Sequence, residues 1–207
     1  MVIRNIIKTG EHKMRVISGS AKGRPLKAVP GNGTRPTTDK VKESIFSIIG
    51  PYFDGGKVLD LFAGTGGLGI EALSRGIQQG VFIDLEHKSI EVIRGNLQVA
   101  GLTEQAEVYR NEAGRALKVL AKREALFDLV FLDPPYKMKN GIELMNEMHE
   151  RGLLAPAATI VLEYESGHDY PEELEHFVCI RHVVYGETAI NVYEYEPQQQ
   201  GGQSSNE

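Results

Sequence analysis

The chain has 207 residues, of which 41% are hydrophobic, enough to form the core of one domain of ordinary size. Its single cysteine, Cys179, excludes an internal disulfide and a thiolate cluster, and its six histidines show no metal-ligand spacing, so we expect no metal. No apolar run approaches the roughly 20 residues of a membrane span and no secretory signal is recognisable, so we expect a cytoplasmic protein.

The net charge of −5 conceals an uneven distribution of charge along the chain. Residues 1–50 carry ten Lys or Arg against three acidic residues, a charge of +7, whereas the remainder carries −12. A basic segment on an acidic body favours a polyanionic partner, and the glycines and prolines beside its arginines favour an extended chain. The side chains predicted to contact phosphates are Arg15, Lys22, Arg24, Lys27 and Arg35.

The first predicted elements lie in this basic segment. Residues 15–18 and 26–29 can pair as a hairpin across a glycine-containing turn. Thr38 or Asp39 can cap a helix that runs to Ile49, where a Gly-Pro pair ends it. We therefore predict a small basic hairpin and one helix before the main sheet.

A glycine-rich turn joins the next strand and helix. The apolar run 58–62 is typical of a buried parallel strand that contains Asp60, and residues 68–73 repeat at helical spacing. The glycines of the turn are Gly64, Gly66, Gly67 and Gly69. They let the backbone turn sharply and approach a ligand at the start of the helix. This corner predicts ligand binding by a doubly wound α/β domain.

Alternating strands and helices follow the corner. Strands are predicted at 80–84, 106–110, 126–132 and 159–164, and an antiparallel pair at 177–185 and 189–195. Helices are predicted at 89–100, 116–121 and 142–149. This order predicts a Rossmann-like, mostly parallel sheet with an antiparallel last strand and helices on both faces.

Asp84 ends the second predicted strand. It lies about 20 residues beyond Gly64, the spacing at which a doubly wound fold places an acid on ribose hydroxyls. This fingerprint alone fits an NAD enzyme as well as any other enzyme that binds an adenosine compound.

The tetrapeptide Asp133-Pro134-Pro135-Tyr136 indicates methylation of an amine on a planar group. The prolines fix the backbone so that the Asp133 carboxylate and the Pro134 carbonyl can accept hydrogen bonds from one NH₂ group. Tyr136 offers a face on which a base can stack. The two acceptors also stabilise the positive charge that develops on the nitrogen. These four residues are the predicted catalytic residues.

Four segments together resemble one known family. The corner Asp60–Gly69, the tetrapeptide, Met14–Gly19 and Arg35–Phe46 are similar to the bacterial 16S ribosomal RNA guanine-N2 methyltransferases, the RsmD group. The resemblance covers about residues 14–196. It implies a class I methyltransferase with a seven-stranded sheet, which transfers a methyl group from S-adenosylmethionine to guanine N2 in 16S rRNA of an assembling or complete small ribosomal subunit.

The resemblance also assigns roles along the chain. Asp60 and the turn would line the methionine end of the cofactor, Asp84 would hold the ribose, and Glu112 with Ala113 would bracket the adenine. The predicted cofactor residues are Asp60, Phe62, Ala63, Gly64, Thr65, Gly66, Gly67, Asp84, Glu112 and Ala113. The chain divides into an extension at 1–13, a basic RNA-contacting hairpin and helix at 14–50, a methyltransferase domain at 51–196 and a disordered tail at 197–207. We expect a monomer with no membrane partner.

Other interpretations stay open. Methylation of adenine N6 in DNA or of a protein glutamine would use the same tetrapeptide, although the chain has no room for a DNA target-recognition domain. A non-catalytic RNA-binding module would not need an intact Asp133, and an NAD dehydrogenase would need no such tetrapeptide. We leave Glu163 and Glu165 outside the predicted site because carboxylates at strand ends are commonly just solvated.

Overall fold

The computed structural model describes residues 14–30, 38–135, 138–168 and 170–197. The predicted extension at 1–13, Arg35, Tyr136 and the tail from residue 198 lie outside the described residues. Within the described part of the chain, no helix is both long enough and apolar enough to cross a membrane.

The described residues form one sheet of eight strands with five α-helices. The strands are β1 (Lys57–Asp60), β2 (Gln79–Asp84), β3 (Ala106–Arg110), β4 (Phe127–Leu132), β5 (Leu154–Glu165), β6 (Glu173–Leu174), β7 (Phe177–Tyr185) and β8 (Thr188–Tyr195). The helices are α1 (Asp39–Ile49), α2 (Gly67–Ser74), α3 (His87–Ala100), α4 (Ala113–Lys122) and α5 (Gly141–Glu150).

One half of the sheet is parallel and the other half antiparallel. The strand order is β3-β2-β1-β4-β5-β8-β7-β6, and the pairs are parallel as far as β5 and antiparallel beyond it. The strand order changes direction between β1 and β4, where an open α/β sheet leaves a crevice at the carboxyl ends of its strands. The predicted fold class is confirmed, and the two-residue β6 adds an eighth strand that is too short to leave a pattern in the sequence.

Each face of the sheet has its own hydrophobic core because side chains alternate along a strand. Leu59 of β1 packs on the face covered by α4 and α5, whereas Val58 packs on the face covered by α1, α2 and α3. Helix α1 begins at its predicted cap, where the Val41 N–H donates to Thr38 Oγ1 at 3.4 Å. The second core also contains side chains that precede α1.

The basic arm, which we define as residues 14–30, forms a tighter hairpin than predicted. The Val16 N–H donates to the Arg24 carbonyl at 3.0 Å. The predicted pairing of 15–18 with 26–29 is therefore wrong in register, because two glycines with positive φ close the turn earlier. Val16 is 1% exposed and belongs to the core under α1, so the arm is part of the folded domain.

Glu71 of α2 fastens the basic arm to the domain. The N–H groups of Ile17 and Ser18 donate to its carboxylate at 2.8 and 2.9 Å. The cations of Lys42 at 3.6 Å and Arg75 at 2.8 Å neutralise it, and all three charged side chains are buried. Burial lowers the pKa of Lys42, although the charge of Glu71 opposes the shift. One buried carboxylate thus joins the arm, α1 and α2.

Glu71→Ala should destabilise the protein by about 3–5 kcal/mol, because it leaves two buried cations and two backbone N–H groups without their acceptor. Urea unfolding at pH 7 measures the loss. Glu91→Ala is the control, since Glu91 pairs with His87 at 3.7 Å on an exposed surface and should change the stability by no more than about 0.5 kcal/mol. Equal unfolding midpoints for the two variants would contradict this role of Glu71.

Candidate active site

Three predicted site residues meet at the carboxyl edge of the sheet. Asp60 ends β1, Asp84 ends β2, and Asp133 directly follows β4. Asp60 is in register with Phe82 of β2 and Phe131 of β4, so the three strands end side by side. The charges of Asp133 and Asp84 both raise the pKa of Asp60, which places these two carboxyl groups within electrostatic reach of Asp60.

Asp60 is the buried member of this group. It is 5% exposed, and its Oδ2 accepts a hydrogen bond from the Gly69 N–H at 3.1 Å. Burial chiefly raises its pKa to about 7, and the hydrogen bond from Gly69 opposes that rise. Near neutral pH the group is therefore poised between its two forms, and a bound cation would favour the carboxylate.

The glycine turn, which we define as residues 64–69, includes the first three residues of α2. It brings the backbone close to β2. Gly64 and Gly66 have φ of 52° and 75°, in the left-handed region. A Cβ on Gly69 would lie 2.4 Å from the ring of Phe82, so the close packing of α2 on β2 requires glycine at this position. The N-cap of α2 is Gly66, and the first-turn N–H groups of Gly67 and Gly69 donate to Thr65 Oγ1 at 3.2 Å and to Asp60 Oδ2 at 3.1 Å. The turn and its approach hold the predicted cofactor residues Phe62, Ala63, Thr65 and Gly67.

Asp84 holds the glycine turn against β2. Its Oδ2 accepts a hydrogen bond from the Gly64 N–H and its Oδ1 accepts one from the Glu86 N–H, both at 2.8 Å. Each carboxylate oxygen can accept a second hydrogen bond. Asp84 can therefore position the turn and still accept hydrogen bonds from a ribose.

Glu112 and Ala113 follow β3, next to the end of β2. The Glu112 carboxylate accepts hydrogen bonds from the N–H groups of Gly114 and Arg115, both at 3.0 Å, and these bonds lower its pKa. Glu112 is thus the cap of α4, and Ala113 is buried. Their contact with an adenine stays a prediction.

The Asp133-Pro134-Pro135 segment follows β4, which pairs with β1, the strand that leads into the glycine turn. Asp133 keeps exposed surface, yet protein atoms crowd its carboxyl group, and this desolvation raises its pKa to about 7. Pro134 is buried and Pro135 is exposed. The Met138 N–H donates to the Pro135 carbonyl at 2.7 Å. The stacking role of Tyr136 stays a prediction.

Glu163 lies next to Asp133 at the carboxyl edge of the sheet, although we did not predict it as a site residue from the sequence. Leu132 of β4 pairs with Leu162 of β5, so Asp133 and Glu163 occupy neighbouring positions. Burial chiefly raises the pKa of Glu163 to about 8, and the charge of Asp133 adds to the rise. The signal that could have found it is the parallel register, which aligns the residues after two adjacent strands.

The predicted RNA-contacting side chains lie on the basic arm. Those described are exposed: Arg15, Lys22, Arg24 and Lys27. The Arg15 Nε donates to Asp39 at 3.0 Å, an exposed pair that contributes little to stability. The exposed cations are thus presented on one short hairpin, consistent with phosphate contacts.

Asn96 of α3 connects the basic arm to the glycine turn. It is fully buried, accepts a hydrogen bond from the Lys27 N–H at 2.8 Å and donates to the Lys27 carbonyl at 3.1 Å. It also donates to the Thr65 carbonyl at 2.9 Å. One side chain therefore contacts both the predicted RNA surface and the predicted cofactor turn.

A cavity of about 370 Å³ lies at the opposite, amino edge of the sheet, where Lys57 and Gln79 begin their strands. Glu107 and Arg123 in its wall already pair at 2.8 Å. No predicted site residue lines it. Among the described residues, no group of three or more His, Cys, Asp or Glu is placed to hold a metal.

The chain is similar to several known proteins. The family model described as conserved hypothetical protein 95 matches residues 14–194. YlbH of Bacillus subtilis, named provisionally as an rRNA methyltransferase, is 53% identical over 87% of this chain and 98% of its own length. Ribosomal RNA small subunit methyltransferase D of Escherichia coli is 32% identical over 92% of this chain and 94% of its own.

One solved structure shares the fold at low sequence identity. It is an RNA methyltransferase from Salinibacter ruber in complex with S-adenosyl-L-homocysteine, 17% identical, with a TM-score of 0.59 over 81% of this chain and 100% of that one. At this identity the likeness shows the fold alone.

Gly69→Ala should destabilise the protein by about 1–3 kcal/mol, because its Cβ would overlap the Phe82 ring in a packed core. Gly95→Ala in α3 is the matched control, since its Cβ would meet no atom within 4 Å, and the change should stabilise the helix by about 0.5–1 kcal/mol. Thermal unfolding compares the two. If both substitutions stabilised the protein, the Phe82 ring would leave room for a Cβ at Gly69 and this prediction would be wrong.

Proposed function

Because this chain belongs to the conserved hypothetical protein 95 family, we propose that it transfers a methyl group from S-adenosylmethionine to the exocyclic N2 amine of a guanine in 16S rRNA. The observation that carries this proposal is the position of Asp133 and Pro134 at the end of β4, beside the glycine turn between β1 and α2. An acceptor pair for an amine thus lies next to a cradle for a nucleoside cofactor. The names of the relatives support ribosomal RNA as the acceptor.

The residues of the glycine corner fit S-adenosylmethionine. Gly64 and Gly66 give the turn a left-handed backbone, and Asp84 retains acceptor capacity for ribose hydroxyls. Asp60 can compensate a positive charge once it is ionised. When bound, the cofactor supplies an electrophilic methyl group. Asp60, Asp84 and the turn would hold it.

Asp133 and Pro134 prepare the amine for transfer. The Asp133 carboxylate and the Pro134 carbonyl accept its two hydrogens, which turns the nitrogen lone pair out of the ring plane and stabilises the developing positive charge. The amine must then lose one proton. A carboxylate with a pKa of about 7 is well matched to accept it near neutral pH.

The basic arm supports a nucleic acid substrate. A base inside a helix cannot reach the corner, so the guanine must be flipped out or unpaired, which costs about a few kcal/mol. Phosphate contacts from the exposed cations of the arm can offset this cost. A ribosomal acceptor also implies work in the cytoplasm.

Methyl transfer from radiolabelled S-adenosylmethionine tests the proposal. The acceptors are unmodified small ribosomal subunits, free rRNA, DNA and protein, followed by nucleoside analysis. N2-methylguanosine confined to small-subunit RNA is the expected product. Label on adenine, on DNA or on glutamine would overturn the assignment of the acceptor.

Asp133→Ala should reduce turnover by about 10²–10³-fold, because it removes an acceptor that acts on charge developing in the transition state. Calorimetric titration should give an S-adenosylmethionine affinity within about twofold of the wild type. Asp54→Ala, in an exposed loop, is the control and should leave both quantities unchanged. Full activity of the Asp133 variant would exclude the proposed mechanism.

Lys22→Gln with Lys27→Gln should raise KM for the RNA and flatten its dependence on salt, because fewer lysines then neutralise phosphates. The log–log slope should fall by about 1 for each lysine that binds a phosphate in the wild type. The matched control is Lys118→Gln with Lys122→Gln, two exposed lysines of α4 on the other face of the sheet. Cofactor affinity should not change in either variant. The same salt slope in both double variants would show that the arm does not bind the RNA.

A further inference from the structure

Glu163 stands beside Asp133 on the substrate side of the corner. Strands β4 and β5 are parallel, and Leu132 pairs with Leu162. Phe131 and Val161, one position earlier in each strand, both belong to the core under α1. Because side chains alternate along a strand, Glu163 lies on that face, and the charge of Asp133, which directly follows β4, reaches it.

The Oε2 atom of Glu163 lies in an apolar environment. Glu163 is opposite Ile190 of β8, a fully buried aliphatic residue. Among the described residues, its Oε2 is enclosed and takes part in no hydrogen bond, and no ion pair includes Glu163. A buried polar atom without a partner is destabilising and rare in folded proteins. A ligand that forms a hydrogen bond with Oε2 would remove this cost.

The protonation state of Glu163 limits which ligand can do so. Burial beside Ile190 and the negative charge of Asp133 raise its pKa to about 8. Near neutral pH the group is then mostly a neutral carboxylic acid, which has one O–H donor and one carbonyl acceptor side by side. A ligand edge with an acceptor next to a donor can form both hydrogen bonds with this carboxylic acid.

Guanine presents such an edge directly beside its N2 amine. The order of groups is O6, an acceptor, then N1–H, a donor, then the amine. If Asp133 and Pro134 hold both hydrogens of the amine, O6 and N1–H remain for a neighbouring group. Adenine offers only the N1 acceptor beside its amine, so it can form one of these two hydrogen bonds.

We propose that Glu163 reads the target guanine, its carboxyl O–H donating to O6 and its carbonyl oxygen accepting from N1–H. This inference rests on the proposed function and deepens it, because it assigns base recognition to a residue outside the tetrapeptide. Glu163 is then a specificity residue that contacts the base, whereas Asp133 acts on the reacting amine.

Substitutions that keep or remove the paired donor and acceptor test this role. Glu163→Gln keeps both, since an amide has a carbonyl oxygen and an N–H, and should retain kcat/KM for small-subunit RNA within about threefold. Glu163→Leu removes both and should lower kcat/KM by at least about tenfold. Glu163→Ala is a second apolar variant in case Leu does not fit. Glu165→Leu, on the exposed end of the same strand, is the control.

Two further readouts separate base recognition from a structural role. The melting temperature of Glu163→Leu should not fall, because the substitution removes a buried group without a partner. Its S-adenosylmethionine affinity should equal that of the wild type. A lower melting temperature together with a loss of activity would point to a structural role and overturn the proposal.

The methylated product of the wild-type protein distinguishes a failure of the proposed function from a failure of the proposed role of Glu163. If it is N2-methylguanosine, the proposed function stands whatever the variants do. Full activity of Glu163→Leu and Glu163→Ala, or a loss in Glu163→Gln as large as in Glu163→Leu, would then overturn the role of Glu163 alone. If the wild type methylates another acceptor, the proposed function fails and this inference fails with it.

Discussion

The buried carboxylate of Glu71 is the constraint on which the arrangement of the molecule depends. It accepts the backbone of the basic arm and is neutralised by Lys42 from α1 and Arg75 from the end of its own helix. Helix α2 also begins at the glycine turn. The same short helix therefore fixes the hairpin with the exposed cations and supports the glycine turn that is predicted to bind the cofactor.

The carboxyl edge of the sheet concentrates acids that would repel one another if all were ionised. Desolvation of the carboxyl group dominates the pKa shifts of Asp60, Asp133 and Glu163, each of which is raised to neutrality or above. Such a cluster can exchange protons with its ligands at little energetic cost. It suits a reaction in which a positively charged donor enters and an amine becomes transiently cationic.

The sequence was most informative where function depends on local geometry. The glycine turn and the Asp133 tetrapeptide are contiguous motifs, and the family match confirms the resemblance that they indicated. Long-range contacts were not predictable: Glu71 meets residues 17–18, more than fifty positions away, and Glu163 meets Asp133 only through the register of β4 and β5. The early start of β5 at Leu154 was missed because a proline and a residue with positive φ interrupt its strand pattern.

The hydrogen bonds of Asn96 have a consequence for the order in which substrates bind. Because one buried amide contacts both Lys27 and Thr65, a displacement of the arm by RNA would be transmitted to the turn that is predicted to bind the cofactor. Thermodynamic linkage makes such an effect reciprocal: whatever factor RNA applies to the affinity for the methyl donor, the donor applies to the affinity for RNA.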